Sequence, residues 1–264
     1  DAVPLNFKSD YENSRKTINA WVEKQTQQRL KDLLPQGSID KLTRMVLTNA
    51  IYFKGKWKLE FDKKLTQPKP FWLAKGKQVD APLMYLPYKK AKLRYADMGD
   101  YQALSLPYQG DDLSMVVLLP ELDGMSEFEQ GLDATKWALI SSQMNYERVN
   151  VWLPKFKIEA GGSIKPVLSA MGMAPLFESA DFSKMFSDPV EFVISDVIHK
   201  AFVEVNEEGT EAAAATAVIV AEKSAAVQDD PIRNFRADRP FIFVIQHNAS
   251  KSILFMGKVL KPTL

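Results

Sequence analysis

A long stretch with few large apolar residues, Glu207 to Asp238, constrains the fold of this chain more than any other feature. It reads EEGTEAAAATAVIVAEKSAAVQDDPIRNFRAD and follows Phe192 to Val205, where alternating apolar residues predict a long strand. Connections in compact domains are usually about four to six residues long, and much longer ones are typically functional or disordered. We therefore expect a long functional loop at residues 207–238, directly after a strand.

The first part of this loop is suited to forming a strand. Alanine is the best helix former, so Glu211 to Ala217 is also compatible with an ordinary helix. Gly209 is an unfavourable start for a helix, however, and the residues before it are strand-like. Side chains this small let a strand slide between neighbours that are already packed. As a strand, the segment has small residues along one face, namely Thr210, Ala212, Ala214 and Thr216.

The rest of the chain predicts one α+β domain, residues 1–264, since there is no linker, repeat or charge block. Ser9 and Glu12 have capping-box spacing, and the apolar residues after them predict a helix that continues to Pro35. Met45 to Phe53 is almost continuously apolar, as expected of a strand covered on both faces. Further predicted elements are strands at 113–119 and 148–153, helices at 126–140 and 163–171, and a hairpin of strands 241–245 and 253–259.

Composition excludes several functional classes. The 34 Lys and Arg nearly balance the 33 Asp and Glu, and a net charge of +1 gives no basic excess for nucleic acid or an anionic membrane. There is no cysteine, which removes disulfides, thiolate metal sites and cysteine nucleophiles. No apolar run approaches the roughly 18–20 residues that span a bilayer. We therefore expect neither a nucleic-acid partner nor a membrane partner.

Motifs of catalysis are absent from the sequence as well. It contains no nucleophile elbow, no phosphate-binding loop, no dinucleotide-binding glycine pattern and no zinc-binding H-E-x-x-H. A Ser–His–Asp triad would have to use His199, inside an apolar strand, or His247, in a predicted turn. A structural or surface role fits either histidine better, so we expect no enzymatic activity, no metal and no cofactor.

Short motifs along the chain resemble those of the serpin family of serine protease inhibitors. Gly209 to Thr216 resembles the hinge of the reactive-centre loop, and Asn49 to Trp57 resembles the third strand of the central sheet with the tryptophan after it. Leu153 to Phe156 resembles a conserved L-P-K segment, Phe235 to Ile245 the family signature, and Phe255 to Val259 the last strand. The resemblance implies the serpin fold, with mixed β-sheets, surrounding helices and a long reactive-centre loop.

The resemblance also implies a suicide inhibitor of proteases. A serpin presents a scissile bond as bait, the protease forms an acyl-enzyme, and the hinge then inserts as an extra strand of the central sheet. The small hinge residues favour an inhibitor over the main alternative, a non-inhibitory serpin that acts as a carrier or chaperone. The hinge implied by the resemblance consists of Gly209, Thr210, Glu211, Ala212, Ala213, Ala214, Ala215 and Thr216.

The usual length of a serpin hinge places the bait bond between Lys223 and Ser224. A lysine there implies a trypsin-like serine protease as the partner, because the specificity pocket of that class carries a buried carboxylate. Arg233 and Arg236 are other basic candidates, but they lie too far along the chain for a normal insertion length.

Further residues match serpin positions one by one. Asn49 and His199 match the buried polar pair of the shutter, where the central sheet parts, and a hydrogen bond between them would hold the sheet closed. Two independently satisfied core residues are the alternative. Trp57, Glu207 and Lys155 match the breach, where the loop first enters, with Glu207 and Lys155 as an ion pair. A plain core aromatic is an equally good interpretation of Trp57.

Location and completeness are inferred from the resemblance and one short motif. Asn248-Ala249-Ser250 is a glycosylation sequon in a predicted turn, and together with the resemblance it predicts a secreted, extracellular glycoprotein. The resemblance starts at about the helix that crosses the central sheet. We therefore expect the C-terminal two-thirds of a serpin, with the missing N-terminal part as a partner. An inactive fragment of a nicked serpin is a further alternative.

Overall fold

The computed structural model describes residues 3–90, 92–185, 194–210 and 231–264. Contacts divide the chain into two compact units: unit 1 is Asp1–Phe53 and Ile158–Val203, and unit 2 is Lys54–Lys157 and Glu204–Leu264. Organisation as one domain stays a prediction. The hinge predictions for residues 211–216 and the bait bond Lys223–Ser224 lie outside the described residues.

The secondary structure alternates short helices with many strands. The α-helices are α1 (Phe7–Gln25), α2 (Met125–Gln130), α3 (Ala134–Gln143), α4 (Lys165–Leu168) and α5 (Pro175–Glu178). The strands are β1 (Val46–Tyr52), β2 (Gly55–Lys56), β3 (Gln67–Ala74), β4 (Lys77–Leu86), β5 (Lys92–Asp97), β6 (Tyr101–Pro107), β7 (Leu113–Pro120), β8 (Asn145–Pro154), β9 (Phe156–Ser163), β10 (Asp196–Asn206), β11 (Gly209–Thr210), β12 (Ile232–Arg236), β13 (Phe241–His247) and β14 (Ile253–Val259).

The N-terminal helix differs from its prediction at both ends. Asn6 is the N-cap, and its Oδ1 accepts a hydrogen bond of 3.1 Å from the backbone N–H of Ser9, so the predicted capping box is wrong. Glu12 forms an ion pair of 2.7 Å with Arg15 instead. The helix ends at Gln25 rather than near Pro35, because the next residues turn into the left-handed region of backbone space.

In unit 1, α1 packs on one face of a pair of parallel strands. β1 pairs with β10 from Val46–Asp196 to Tyr52–Phe202, and β9 also pairs with β10. Val22 of α1 joins Ile198 and Phe202 in the core, which the non-helical Leu30, Leu33 and Leu34 complete. The other face of β1 carries Leu47, which is 40% exposed. The prediction that this strand is covered on both faces is therefore wrong for the described part of the chain.

In unit 2, the described residues form a nine-stranded sheet. Its order is β14-β13-β7-β6-β5-β8-β4-β3, and β12 pairs with β8 in parallel. β6, β7 and β13 are buried along most of their length, and the short helices α2 and α3 cover part of the sheet through Phe128 and Ile140. The predicted C-terminal hairpin is confirmed by β13 and β14. The helix predicted over 126–140 is instead two helices, because Asp133 caps a new one by accepting a 2.7 Å bond from the Lys136 N–H.

Both ends of the predicted loop 207–238 form strands. Gly209 and Thr210 are β11, and Ile232–Arg236 are β12, in which Phe235 is fully buried. Phe235 is one of the few large apolar residues in the stretch, and its burial explains why the chain rejoins the sheet there. The prediction of a loop over the whole range is therefore wrong at both ends.

Candidate functional site

The start of the hinge already lies between two strands. β11 pairs antiparallel with the end of β10 through Val205–Thr210 and Asn206–Gly209, and antiparallel with β2 through Gly209–Lys56 and Thr210–Gly55. The side chain of Asn206 makes the tight turn, because its Oδ1 accepts hydrogen bonds from the N–H groups of Glu208 at 3.0 Å and Gly209 at 3.2 Å. The sequence around Asn206 thus folds the chain back on itself directly after β10.

Glycine is required at position 209 for two reasons. Its φ of +150° is a backbone conformation that other residues rarely adopt. A Cβ at this position would also collide with the backbone of β2, where it would meet the carbonyl oxygen of Gly55 and lie 2.7 Å from the Cα of Lys56. Gly209 therefore lets the hinge approach its neighbour strand closely.

Thr210 is held by a buried aromatic pair. Its side chain is fully buried, and its Oγ1 lies 2.7 Å from the Oη of Tyr108. The Tyr108 ring stacks on Trp57 with centroids 4.6 Å apart and an interplanar angle of 11°. Burial raises the pKa of the Tyr108 hydroxyl far above its ordinary value, outweighing the opposite effect of the bond to Thr210. The phenol stays protonated and can donate this bond.

Trp57 donates two hydrogen bonds to the turn that precedes the hinge. Its indole Nε1 donates a 2.9 Å hydrogen bond to the backbone oxygen of Asn206, and its backbone N–H donates a 2.9 Å bond to the oxygen of Glu208. The side chain is only 1% exposed and also contacts Phe61 edge-to-face. Trp57 is therefore both a core aromatic and a direct partner of the residues that lead into the hinge.

Glu207 and Lys155 form an ion pair with Nζ and Oε2 3.1 Å apart. The Glu207 side chain is 6% exposed, and its other oxygen accepts a 2.9 Å bond from the Thr66 hydroxyl. Burial raises the pKa of Glu207, but the hydrogen bonds from its own amide, Lys155 and Thr66 together outweigh it and leave the pKa below its ordinary value. Because the carboxylate is buried, removal of Lys155 would leave its charge uncompensated, which costs more than breaking a surface ion pair.

Glu208 faces a cation that sequence reasoning did not identify. The Lys63 ammonium lies 2.5 Å from its Oε1, and this hydrogen bond raises the pKa of Lys63. Neither Lys63 nor Tyr108 lies in a recognisable motif. Tyr108 contacts the hinge, and Lys63 contacts the residue before it, only because separate strands and turns of unit 2 converge there, so no sequence signal identifies them.

The shutter residues lie opposite each other but are not a buried pair. Asn49 and His199 are register partners in the parallel pairing of β1 and β10. Asn49 is exposed and His199 half-buried, and no hydrogen bond joins the two side chains in the part of the chain that the structure describes. The expected burial is therefore not found, because Asn49 lies on the uncovered face of β1. A role for the pair in opening the sheet stays a prediction.

Asn248 is engaged in contacts within unit 2. Its Nδ2 donates a 2.6 Å bond to the backbone oxygen of Asp111, and its Oδ1 accepts a 2.6 Å bond from the Ser114 hydroxyl. The Nδ2 group has two hydrogens, of which this bond to Asp111 uses one. Arg233 and Arg236, the other basic candidates for the bait, lie within β12 and are hydrogen-bonded to β8.

Neither a metal centre nor a membrane helix is found in the ranges that the structure describes. Over those ranges, no group of three or more acidic, histidine or cysteine side chains is arranged to hold a metal ion. No helix there combines the length and the apolar character that crossing a bilayer demands.

Comparison with known proteins gives consistent results. The family model described as Serpin (serine protease inhibitor) matches residues 1–262. The leukocyte elastase inhibitor of Homo sapiens is 43% identical over 274 residues, which cover 99% of this chain and 70% of that protein. An uncharacterised serpin-like protein of Methanosarcina mazei is 39% identical over 263 residues, covering 99% and 61%. Among solved structures, uncleaved ovalbumin matches with a TM-score of 0.85 and 32% identity over 98% of this chain and 65% of that chain.

These matches confirm the predicted fold and correct one expectation. The chain spans about two thirds of the length of the relatives it matches. The family model nevertheless covers almost the whole chain, so the prediction of a C-terminal two-thirds with a missing N-terminal block as its partner is not supported. The fold of mixed sheets and helices is the serpin fold. The chain belongs to the serpin family.

Proposed function

We propose that this chain traps trypsin-like serine proteases, with Lys223–Ser224 as the bait bond and the residues from Gly209 onward as the inserting strand. The single observation that supports this most is the position of β11. Its two residues already have hydrogen-bonded neighbours on both sides, β10 and β2. A strand that starts between two neighbours offers a template for the residues that follow it.

The driving force of the proposed insertion is the formation of new strand pairings. About ten additional ladder hydrogen bonds, at about 1 kcal/mol net each, amount to roughly 10 kcal/mol before side-chain burial is added. That gain is available only if small side chains enter first, as in the sequence from Thr210 to Thr216. A bulky or charged residue at position 212, the next residue on the same face as Thr210, is expected to delay insertion, so that the acyl-enzyme is hydrolysed first.

The choice of protease class is based on one residue. Lys223 offers an ammonium to a specificity pocket that carries a buried carboxylate, which is the arrangement in trypsin. We further propose that the protein acts outside the cell, as a secreted protein, where such proteases are met. The family match and relatives named as protease inhibitors support inhibition in general.

The decisive experiment is a denaturing gel of the chain mixed with trypsin, with the cut located by mass spectrometry. The expected result is an adduct of high mass that resists denaturation, with cleavage after Lys223. Lys223→Gln should abolish the adduct, whereas the matched control Arg233→Gln, within β12, should leave it unchanged. Ala212→Arg should give cleavage without an adduct.

Other outcomes would overturn the proposal in distinguishable ways. Cleavage after Lys223 without an adduct in the unaltered chain would favour a carrier-like or chaperone-like serpin, or an inactive fragment. Cleavage at another basic residue with an adduct would keep the trap and move the bait bond. No cleavage by trypsin, with cleavage by an elastase-like protease instead, would reject the proposed protease class.

A further inference from the structure

The turn between β10 and β11 sets the register in which the hinge starts. Asn206 and Gly209 are register partners, so the chain reverses its direction within the residues between them. Side chains alternate between the two faces of a strand, and a slip by one residue would exchange these faces. In the observed register the fully buried side chain is that of Thr210. A slip would bring the next residue, Glu211, to that face, where a carboxylate opposes burial.

The backbone of this turn is hydrogen-bonded to one neighbouring segment. The Trp57 indole donates to the backbone oxygen of Asn206, and the Phe61 N–H donates a 2.9 Å bond to that of Glu207. The Trp57 N–H donates a 2.9 Å bond to the oxygen of Glu208. Three consecutive carbonyl oxygens therefore accept bonds from the same segment. These bonds position the backbone as far as the last residue before the hinge.

The two glutamate side chains of the turn are held very differently. Glu207 is bonded to both Lys155 and Thr66. The carboxylate of Glu208, a residue that is only 9% exposed, accepts a bond at Oε1 from the Lys63 ammonium. Its Oε2 is buried and accepts no hydrogen bond from the part of the chain that the structure describes. The buried position of the Glu208 carboxylate therefore depends on the bond from Lys63.

Lys63 presents its ammonium from a well-positioned backbone. It begins a one-turn 3-10 helix, Lys63–Leu65, whose cap is Asp62. The Asp62 Oδ1 accepts a 2.9 Å bond from the N–H of Lys64. Phe61, just before this helix, is buried. The Lys63 side chain itself is 65% exposed, so its replacement disturbs no packed core.

We infer that Lys63 is a positioning residue that fixes the register of β11 through Glu208. A buried carboxylate that loses its cation is strongly unfavourable. Without Lys63, the Glu208 side chain therefore turns toward water, and Gly209, the next residue, moves with it out of the observed register. The effect of Lys63 on protease trapping rests on the proposed function, whereas its effect on β11 does not.

Amide hydrogen exchange tests the effect on β11 directly. Lys63→Met removes the charge and keeps a long, unbranched side chain. Exchange at Gly209 and Thr210 should become about fivefold faster, which corresponds to the loss of one hydrogen bond of ordinary strength. Lys63→Arg should keep exchange slow, because a guanidinium also donates to a carboxylate. Lys64→Met, at an exposed lysine of the same helical turn, is the matched control and should change nothing.

A double variant separates the buried charge from other effects of the substitution. Lys63→Met combined with Glu208→Gln leaves no buried carboxylate without its cation. Exchange at Gly209 should then be slower than in Lys63→Met alone, because removing both charged partners costs less than removing one. Equally fast exchange in the single and the double variant would contradict the role assigned to the buried carboxylate.

The assay with trypsin measures the consequence for trapping as the number of chains cleaved per adduct formed. Lys63→Met should raise this number about fivefold, because insertion then competes less well with hydrolysis of the acyl-enzyme. The rate of cleavage after Lys223 should not change, since cleavage precedes insertion. If the unaltered chain forms no adduct, the proposed function fails, and hydrogen exchange still decides the role of Lys63. Unchanged exchange in Lys63→Met, or equally faster exchange in Lys64→Met, would overturn the inference.

Discussion

The hydroxyl oxygens of Tyr108 and Thr210 lie 2.7 Å apart, and both side chains are buried. Tyr108 lies between β6 and β7, whereas Thr210 is the last described residue of the hinge. This hydrogen bond therefore joins the start of the hinge to the core of unit 2.

Removing one hydroxyl of this hydrogen bond is expected to lower the free energy of unfolding more than removing both hydroxyls. Tyr108→Phe leaves the Thr210 hydroxyl buried without its partner and should lower the free energy of unfolding by about 1–2 kcal/mol. Adding Thr210→Val, which has the same shape, should recover part of that loss. Urea unfolding of the two single variants and the double variant measures the coupling, expected at about 1 kcal/mol. If the two single substitutions change the free energy of unfolding additively, the hydrogen bond contributes nothing to stability. Tyr146→Phe, at an exposed tyrosine, is the control and should leave the free energy of unfolding almost unchanged.

Gly209→Ala is expected to displace β11 from its neighbours. The added methyl group would collide with the carbonyl of Gly55, and the positive φ adds about 1–3 kcal/mol of strain. Gly162→Ala is a matched control, because Gly162 has a φ of +148° but nothing within 4 Å of the added carbon. Hydrogen exchange at Gly55 and Lys56 should become faster in the first variant and stay unchanged in the second. Equal exchange in the two variants would contradict the proposed collision.

The buried Glu207 carboxylate predicts a specific loss of stability in acid. Its pKa is lower in the folded chain than the ordinary value, so the folded state binds the proton less tightly than the unfolded state. The resulting stabilisation is fully present above about pH 4.5 and is lost as the pH falls through the folded pKa. Glu207→Gln should therefore lower the free energy of unfolding at neutral pH and make it depend less on pH in acid.

The same experiment with an exposed glutamate separates burial from charge. Glu129 forms a 2.6 Å ion pair with Lys258, and the two side chains are 48% and 37% exposed, against 6% for Glu207. Glu129→Gln should change the free energy of unfolding by less than about 1 kcal/mol. If the free energy of unfolding of Glu207→Gln falls in acid as much as that of the unaltered chain, the buried ion pair with Lys155 does not cause the loss of stability in acid.

Substitution of Trp57 is expected to lower the free energy of unfolding more than substitution of an exposed tryptophan. Trp57→Phe removes the hydrogen bond to Asn206, leaves a cavity next to Tyr108, and should cost about 2–4 kcal/mol. Trp21→Phe is the control, because Trp21 is 55% exposed and should cost less than about 0.5 kcal/mol. Thermal unfolding measures both. Similar losses in the two variants would mean that Trp57 does not stabilise the turn.

The sequence predicts a strand well where both faces of that strand are buried, because the run of apolar residues is then unbroken. β7 and β13 are buried almost throughout, and their unbroken apolar runs identify them. β3 escapes sequence prediction because Pro68 and Pro70 interrupt it, which is tolerated because β3 is the last strand of the sheet order. For β1 the sequence predicts too much burial. Its apolar residues predict that both faces are covered, but the described residues cover only one.

The candidate site is predictable only for residues that lie in motifs. The ion pair of Glu207 and Lys155 and the position of Trp57 follow from the serpin resemblance. Tyr108 and Thr66 do not, because each is far from the hinge in sequence and ordinary in its local pattern. The close approach of Gly209 to β2 also depends on tertiary structure, and a glycine by itself does not reveal it.

The position of β12 has a consequence for the protein after it is cut. Residues 231–264 contribute β12, which pairs with β8, and β13, which lies between β7 and β14. A single cut between residues 211 and 230 therefore breaks one covalent bond but none of these pairings. The two pieces stay together as one particle in native gel filtration and separate only when the sheet of unit 2 unfolds.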